Sequence, residues 1–335
     1  MNRTLPHPAA RDIRGPATHR WGGRTHPHQT TAASVFDKTA ERGPRSVGAM
    51  KVLHETGLAR AAEFLRLNGR LIDRRRFALH FRGGPAAPLV AALRGYENPD
   101  GGYGHALEPD LRGEGSQPVP AQHALQFLHE AGADDDPAVA RIAGYLSSIT
   151  AGDGGVPFVL PTVRDTPHAP WWQAADDPVG GINPTGTLAG MLHRAGADHP
   201  WLGPATGFCW RYLEAGDAGP GAYDVLAILT FLDHVPDRDR AEAAFGRVRD
   251  VLAAHASSDH QGTLDFAPAP GGYGRRLFDD DAVETALDAL IDAQHDDGGW
   301  DVAFPSWTPI TRPEWRGFAT VENLRTLRAY GRLKP

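Results

Sequence analysis

The chain has 335 residues, of which 41% are apolar and 22% charged, with a formal net charge of −7. That composition provides for a globular core. It argues against a nucleic-acid partner, because no basic excess is present to neutralise phosphates. A single cysteine, Cys209, rules out an intrachain disulfide and fits a reducing, cytoplasmic setting. No apolar run approaches the ~18 residues of a membrane span, and the N-terminus lacks the apolar core of a signal peptide.

Residues 1–48 are rich in Arg, His, Pro, Thr and Gly and follow no period. Such a segment buries too little apolar surface to offset its ordering entropy, so it is expected to be a disordered tail. Met50 directly precedes the first periodic stretch and is a candidate for the true start. From Thr56 onward apolar residues recur at helical spacing, and residues 49–335 are expected to form one domain.

The stretch Pro118–Ala131 places Ala121, Ala124, Leu125, Leu128 and Ala131 on one stripe of a helix. Asn183 reads as an N-cap with Pro184 at the first helical position, and Gly196 as the stop. Val225–Leu232 is apolar nearly all round, as a helix buried on every side would be. Asp237–Ala256 instead has Ala241, Ala244, Phe245, Val248, Val251 and Leu252 on one face and charges opposite. Alternation of these two types predicts an inner and an outer ring of helices. No convincing period-2 run appears, so the fold class is all-α, an α/α toroid in a single domain.

Connections near 132–137, 196–200, 216–220 and 235–237 are short, whereas those at 98–117, 151–182, 257–278 and 296–314 are long. Long connections without secondary structure are uncommon unless functional or disordered. The long loops flank the helix expected at Asp280–Gln294 on both sides, which breaks the alternation and leaves room for a further helix. A glycine signature repeats in them: Asn98-Pro-Asp-Gly-Gly-Tyr-Gly104, Gly152-Asp-Gly-Gly-Val156, Pro270-Gly-Gly-Tyr-Gly274 and Gln294-His-Asp-Asp-Gly-Gly-Trp300. Paired glycines permit the left-handed backbone of a tight turn.

Gln294, Gly298 and Trp300 match the QW motif of squalene-hopene cyclases, and Asn98–Gly104 is similar to the Asp-Gly-Gly-aromatic-Gly turn of protein prenyltransferase β-subunits. Over residues 56–331 the chain therefore resembles the squalene-cyclase and protein-prenyltransferase repeat family. The resemblance implies an α/α toroid in which the matched residues are structural. It also implies an isoprenoid-handling cyclase or transferase, but the Asp-x-Asp-Asp acid motif of the cyclases is missing: Phe278 stands where its first aspartate would be, before Asp279-Asp280-Asp281. The zinc set of the prenyltransferases is missing too, since Cys209 has no aspartate two residues before it.

The residues themselves offer three clusters. His105, Glu108, Asp110 and Arg112 follow the first glycine turn, with Glu108 and Asp110 as an acid–base pair and Arg112 as an anion clamp. An ion-paired loop closing one end of the barrel would look the same. His168, Trp171 and Trp172 form the second cluster, with Asp176 and Asp177 beyond, since adjacent tryptophans must pack, line a pocket or meet a partner. Trp300, Phe304, Trp307 and Trp315 make the third, with Arg312 and Arg316 at its rim. The expected ligand contacts are Tyr103, Arg112, His168, Trp171, Trp172, Trp307 and Trp315. The loops at His105–Arg112 and Pro167–Trp172 are expected to meet at one mouth of the barrel.

Asp280 and Asp281 are further catalytic candidates, and with Glu284 they form an Asp-Asp-x-x-Glu string of the kind that holds magnesium. The same acids suit a helix N-cap followed by a solvated face. No cofactor or metal is required by the sequence. The expected partner is a small molecule, an isoprenoid or a sugar. A carbohydrate-active α/α-toroid hydrolase or lyase and a non-catalytic lipid- or peptide-binding toroid are the rival readings.

Overall fold

The computed structural model describes residues 50–216, 221–256 and 262–334. The expected tail at 1–48 lies outside them. The first helical pairs are α1 (Glu55–Asn68) with α2 (Leu71–Phe81), and α3 (Ala87–Leu93) with α4 (Pro118–Glu130). They are followed by α5 (Pro137–Ile149) with α6 (Ile182–Arg194), and α7 (Leu202–Glu214) with α8 (Ala222–His234). Then come α9 (Arg238–Ala256), the single turn α10 (Thr263–Phe266), a 3-10 turn at Gly274–Leu277, α11 (Asp280–Asp292) and α12 (Thr311–Ala329). The fold is all-helical, with even-numbered helices inside and odd-numbered ones outside.

Burial follows the sequence pattern. α8 buries Ala222, Val225, Ala227, Ile228, Leu229, Phe231 and Leu232, whereas α9 buries one stripe and exposes its charges. The inner helices α6 and α8 run side by side so closely that a Cβ on Gly186 would lie 2.7 Å from the Ala227 carbonyl oxygen. A Cβ on Gly190 would lie 2.4 Å from that of Thr230. These two glycines set the helices in parallel register. The ring closes where α12 packs on α1 and α2. There Leu53 N–H donates to the Arg332 carbonyl at 2.8 Å, and the buried Arg332 guanidinium ties Lys51 O to Asp288 and Glu284.

The broken alternation has a cause. Between α9 and α11, the place of an inner helix is taken by α10 and the 3-10 turn. The intervening Ala-Pro-Ala-Pro-Gly-Gly-Tyr-Gly stretch (267–274) lacks the donors and the stiffness that a continuous helix needs. One boundary agrees with expectation and one differs. Asn183, at a kink after Ile182, has the extended φ −93° and ψ 115° of a residue that precedes a helix, so the regular turns of α6 start at Pro184. α12 begins at Thr311, within the stretch expected to remain loop as far as Glu314.

Three of the glycine turns are one structure used three times. In each, the aspartate before the glycine pair accepts from the second glycine's N–H: Asp100 from Gly102 at 2.9 Å, Asp153 from Gly155 at 2.9 Å, and Asp297 from Gly299 at 3.1 Å. The first glycine of each pair is left-handed, with φ 83° at Gly101, 91° at Gly154 and 93° at Gly298. Each turn leads from an outer helix toward the next inner one. The fourth repeat, at Pro270–Gly274, has no such aspartate; its left-handed residue is the second glycine, Gly272. Trp300 is 1% exposed and donates through Nε1 to the Leu290 carbonyl, while Gln294 donates to the carbonyls of Gly57 and Gly298. No helix among the described residues is long and apolar enough to cross a membrane.

Candidate functional site

The loops that follow the glycine turns deliver the chain to the N-terminal ends of the inner helices, so they gather at one end of the ring. The 105–112 loop is fastened there by Arg70, whose Nη1 donates to the carbonyls of Ala106 (3.1 Å) and Leu107 (2.9 Å) while its Nε meets Asp73 at 2.9 Å. His105 and Ala106 are left-handed at φ 57° and 61°, a conformation that costs non-glycine residues about 1 kcal/mol or more each. This bend turns the following residues inward. Arg112 N–H then donates to Pro167 O at 3.0 Å, and Ala169 N–H to Asp110 O at 2.9 Å. The 105–112 and 167–172 loops therefore do meet. Leu111, Val159, Val163, Ala169 and Trp172 form a small apolar cluster, with Trp307 packed against it and Phe158 stacked on Trp172 at 4.7 Å.

Glu108 and Asp110 are each only 2% exposed. A Glu108 oxygen lies 2.8 Å from His123 Nε2 on α4, and Asp110 Oδ2 accepts from Trp315 Nε1 on α12 at 3.0 Å. Asp110 Oδ1 and His123 Nδ1 are sealed from solvent without a partner among the described residues. Burial pushes the Asp110 carboxyl up to about 6. The Trp315 N–H and Arg112 oppose that shift, and the negative charges of Glu108 and Glu314 add to it. Phe304 meets the Trp315 ring edge-on at 5.1 Å, and Phe318 does so at 5.8 Å.

Below this mouth the barrel axis is filled. Trp315, Phe318, Glu322 and Arg325 descend one face of α12, and His123, Phe127 and Glu130 descend one face of α4. The Arg76 guanidinium, fully buried, lies 4.3 Å from the Phe127 ring centre and 5.1 Å from that of Phe318. It grips Glu130 through two bonds of 2.8 Å and also reaches Glu322. Arg325 and His80 add bonds to Glu130 at 2.8 and 3.0 Å. Arg76, the hydrogen bond from His80 and the charge of Arg325 hold the Glu130 carboxyl far below the usual carboxylate range despite its burial. Sequence reasoning missed this network and His123. The available signal was the spacing of His123 and Glu130, which fall at i and i+7 on a helix whose other stripe is apolar.

The remaining expected site residues separate. Tyr103 is wholly buried in the core among α3, α4 and α5, so it is not a contact at the mouth. His105 is exposed and bonded to Asn98 Oδ1 at 2.9 Å; the left-handed turn faces it away from Glu108. Arg112 is committed to Glu314 and is not a free anion clamp. His168 is half-buried and bonded to the Thr166 carbonyl at 2.7 Å. Trp171 stays 45% exposed while its neighbour Trp172 is buried. Asp176 pairs with Arg164 on the surface, and Asp177 is exposed.

Asp280 and Asp281 lie exposed at the start of the outer helix α11, Asp280 pairing with Arg275, while Asp279 caps the helix by accepting from Ala282 N–H at 2.7 Å. Glu284 turns to Arg332, so the three acids do not converge. Among the described residues no group of three or more His, Cys, Asp or Glu side chains is placed to hold a metal ion. A hollow of about 20 Å³, room for one water, lies behind the site between Leu111, Gln117, Pro120 and Val163. A larger one of about 440 Å³, against Met50, Val52, His54 and Ile291, is an open groove beside the closing seam and shares no residue with the site.

No family model and no curated protein matches this sequence. Among solved structures it is similar to a protein from Actinoplanes at 16% identity, over 82% of this chain and 99% of that one, with a TM-score of 0.53. It is also similar to the type II terpene cyclase MstE from Scytonema in its apo form, at 13% identity over 83% of this chain and 88% of that one, with a TM-score of 0.44. The complex of an aspartate-to-asparagine variant of that cyclase with its substrate, geranylgeranyl dihydroxybenzoate, matches at 12% identity over 83% and 87% of the chains, with a TM-score of 0.42. At 16% identity the likeness to the Actinoplanes protein is one of fold alone.

Proposed function

We propose that this chain is an isoprenoid-handling enzyme whose acid is Asp110. The observation that carries this reading is the Asp110 carboxyl: buried, raised to about 6, and keeping one oxygen unpartnered beside indole and phenyl rings. A carboxyl raised that far is half protonated at about pH 6, well above an ordinary aspartate, and in its acid form it can deliver the proton to a bound substrate. The Trp315 N–H then stabilises the carboxylate left behind. The rings of Trp315, Phe304 and Phe318 present π-faces and edges, surfaces suited to an apolar chain or to positive charge developing on it. A sugar substrate would call for carboxylates in an open, wet mouth, and the burial of both Glu108 and Asp110 favours the apolar ligand instead.

The test is incubation of the purified chain with linear polyprenyl alkenes, their terminal epoxides and prenyl diphosphates, followed by mass spectrometry of the extracted products. Cyclised or isomerised product from the native chain and none from Asp110→Asn is the expected result. Turnover that survives Asp110→Asn, or saturable binding of an oligosaccharide in place of any isoprenoid, would overturn the reading.

A further inference from the structure

The opposite end of the ring carries a second constellation, built by the last turns of the inner helices. α2, α4, α6 and α8 each carry a histidine there: His80, His129, His193 and His234. Basic side chains in a last turn are ordinarily explained by the helix dipole and by local carboxylates. Two of them have such a carboxylate and a third a hydroxyl. His80 meets Glu130 at 3.0 Å, His129 meets Asp134 at 2.9 Å, and His193 meets Thr206 Oγ1 at 2.8 Å.

His234 and its neighbour Arg194 sit at the same helix ends without a side-chain partner among the described residues. The contacts of Gly186 with Ala227 and of Gly190 with Thr230 set α6 and α8 in parallel register, and one further turn brings Arg194 beside His234. Among the described residues neither side chain has a hydrogen-bond or ion-pair partner, and Arg194 Nε is sealed from solvent with nothing to bond. Both residues are half-buried, so a small solute can reach them. The nearby acids are spent: Glu130 on Arg76, His80 and Arg325, Asp134 on His129, and Asp233 on Tyr273 N–H. The charges acting on the pair are the negative Asp134 and Glu130, neither bonded to it, and the positive Arg325 on α12 and Arg238 at the start of α9. The sealed Nε of Arg194 is a donor with no acceptor among the described residues, and an oxyanion is a ligand that would supply one.

We propose that Arg194 and His234 form a binding site for a phosphate-type oxyanion at this end of the ring. Burial, then the positive charge of Arg194 with a smaller contribution from Arg238, holds the His234 imidazole down at about 4, so it is neutral near pH 7. A bound dianion supplies the opposite charge and draws a proton onto His234, which couples binding to proton uptake. The site is independent of Asp110. From Trp315 to Arg325, α12 advances about 15 Å, with Phe318, Arg76 and Glu130 packed between the two ends.

The experiment is calorimetric titration of the whole chain with inorganic phosphate at low ionic strength, paired with NMR titration of the histidine rings. One saturable site per chain is expected, with His234 moving from its low value toward the ordinary histidine range when phosphate is present. Arg194→Met should weaken binding roughly tenfold or more, as loss of a charge-assisted bidentate contact does. Arg194→Lys, which keeps the charge and the length, should retain part of it, so that misfolding of one variant does not decide the matter. No saturable heat, unchanged binding in both variants, an unmoved His234, or the same His234 shift from chloride at equal ionic strength would each overturn the proposal.

Discussion

Replacing Asp110 by asparagine should make the protein more stable, and more so as the pH rises. The native carboxyl is raised to about 6, whereas in the unfolded chain it returns to the ordinary aspartate value of about 3.9. A raised carboxyl means that the native state binds a proton more tightly than the unfolded state does. Aspartate therefore costs nothing below the unfolded pKa, costs progressively more between pH 4 and 6, and costs its full amount above 6. A difference of about 2 units corresponds to roughly 3 kcal/mol. Asparagine keeps an oxygen for the Trp315 N–H and carries no charge to desolvate. Urea unfolding of Asp110→Asn against the native chain should show an advantage of about 3 kcal/mol at pH 8, reduced to about half by pH 5. Equal or lower stability of the variant at every pH would refute the reasoning, because it would mean that the Asp110 charge is compensated in the fold. A side chain whose removal stabilises the protein is retained for something other than folding.

Other expected outcomes follow from the same contacts. Trp300→Ala should cost roughly 3–5 kcal/mol in denaturant unfolding, since it empties a fully buried indole site, and it should leave Asp110 chemistry intact in whatever remains folded. Gly101→Ala should cost at least about 1 kcal/mol, because φ is 83° and the new Cβ would lie 2.6 Å from the Arg141 carbonyl oxygen; a neutral thermal melt would disprove the turn geometry. Arg76→Met should cost roughly 3–5 kcal/mol by stranding Glu130. Because the native Glu130 carboxyl is depressed, its contribution is present above the unfolded glutamate value and lost as the pH falls below it, so the native chain should lose stability on acidification and Arg76→Met should lose less.

The ring was legible in the sequence because its determinants are local. Apolar periodicity separates Val225–Leu232, buried on all sides, from the one-faced Asp237–Ala256, and that contrast distinguishes inner from outer helices before any contact is known. The Asp-Gly-Gly turn is equally local: aspartate, glycine and glycine supply the acceptor, the left-handed residue and the close approach within three positions. The meeting of the 105–112 and 167–172 loops followed from counting helices. The partners within the mouth did not follow. His105 and Asp110 are neighbours in the string, yet the left-handed residues at 105 and 106 send one to solvent and the other into the protein. Positive φ at histidine and alanine has no sequence signature, since it is imposed by Arg70 from another helix. His123 was invisible for a related reason: its partner Glu108 lies on a loop whose path depends on that same bend.

These placements give the barrel axis a direction. At the end where the inner helices begin, a half-turn of strained chain holds Asp110 in a dry setting that raises its carboxyl to about 6 and leaves one oxygen without a partner among the described residues. At the end where the inner helices stop, their C-terminal dipoles favour the basic groups in each last turn, of which Arg194 and His234 have no side-chain hydrogen-bond partner among the described residues. Between them the Arg76–Glu130–Glu322–Arg325 network is a plug with its charges satisfied, and Phe127 and Phe318 cover its upper face. A chain-like ligand entering at Asp110 therefore meets aromatic rings before it meets charge, and it cannot run the length of the ring without displacing a buried ion pair, a cost of several kcal/mol. The geometry favours a ligand lodged across the mouth, against Trp315, Phe304 and the Trp172–Trp307 cluster, over one threaded down the axis.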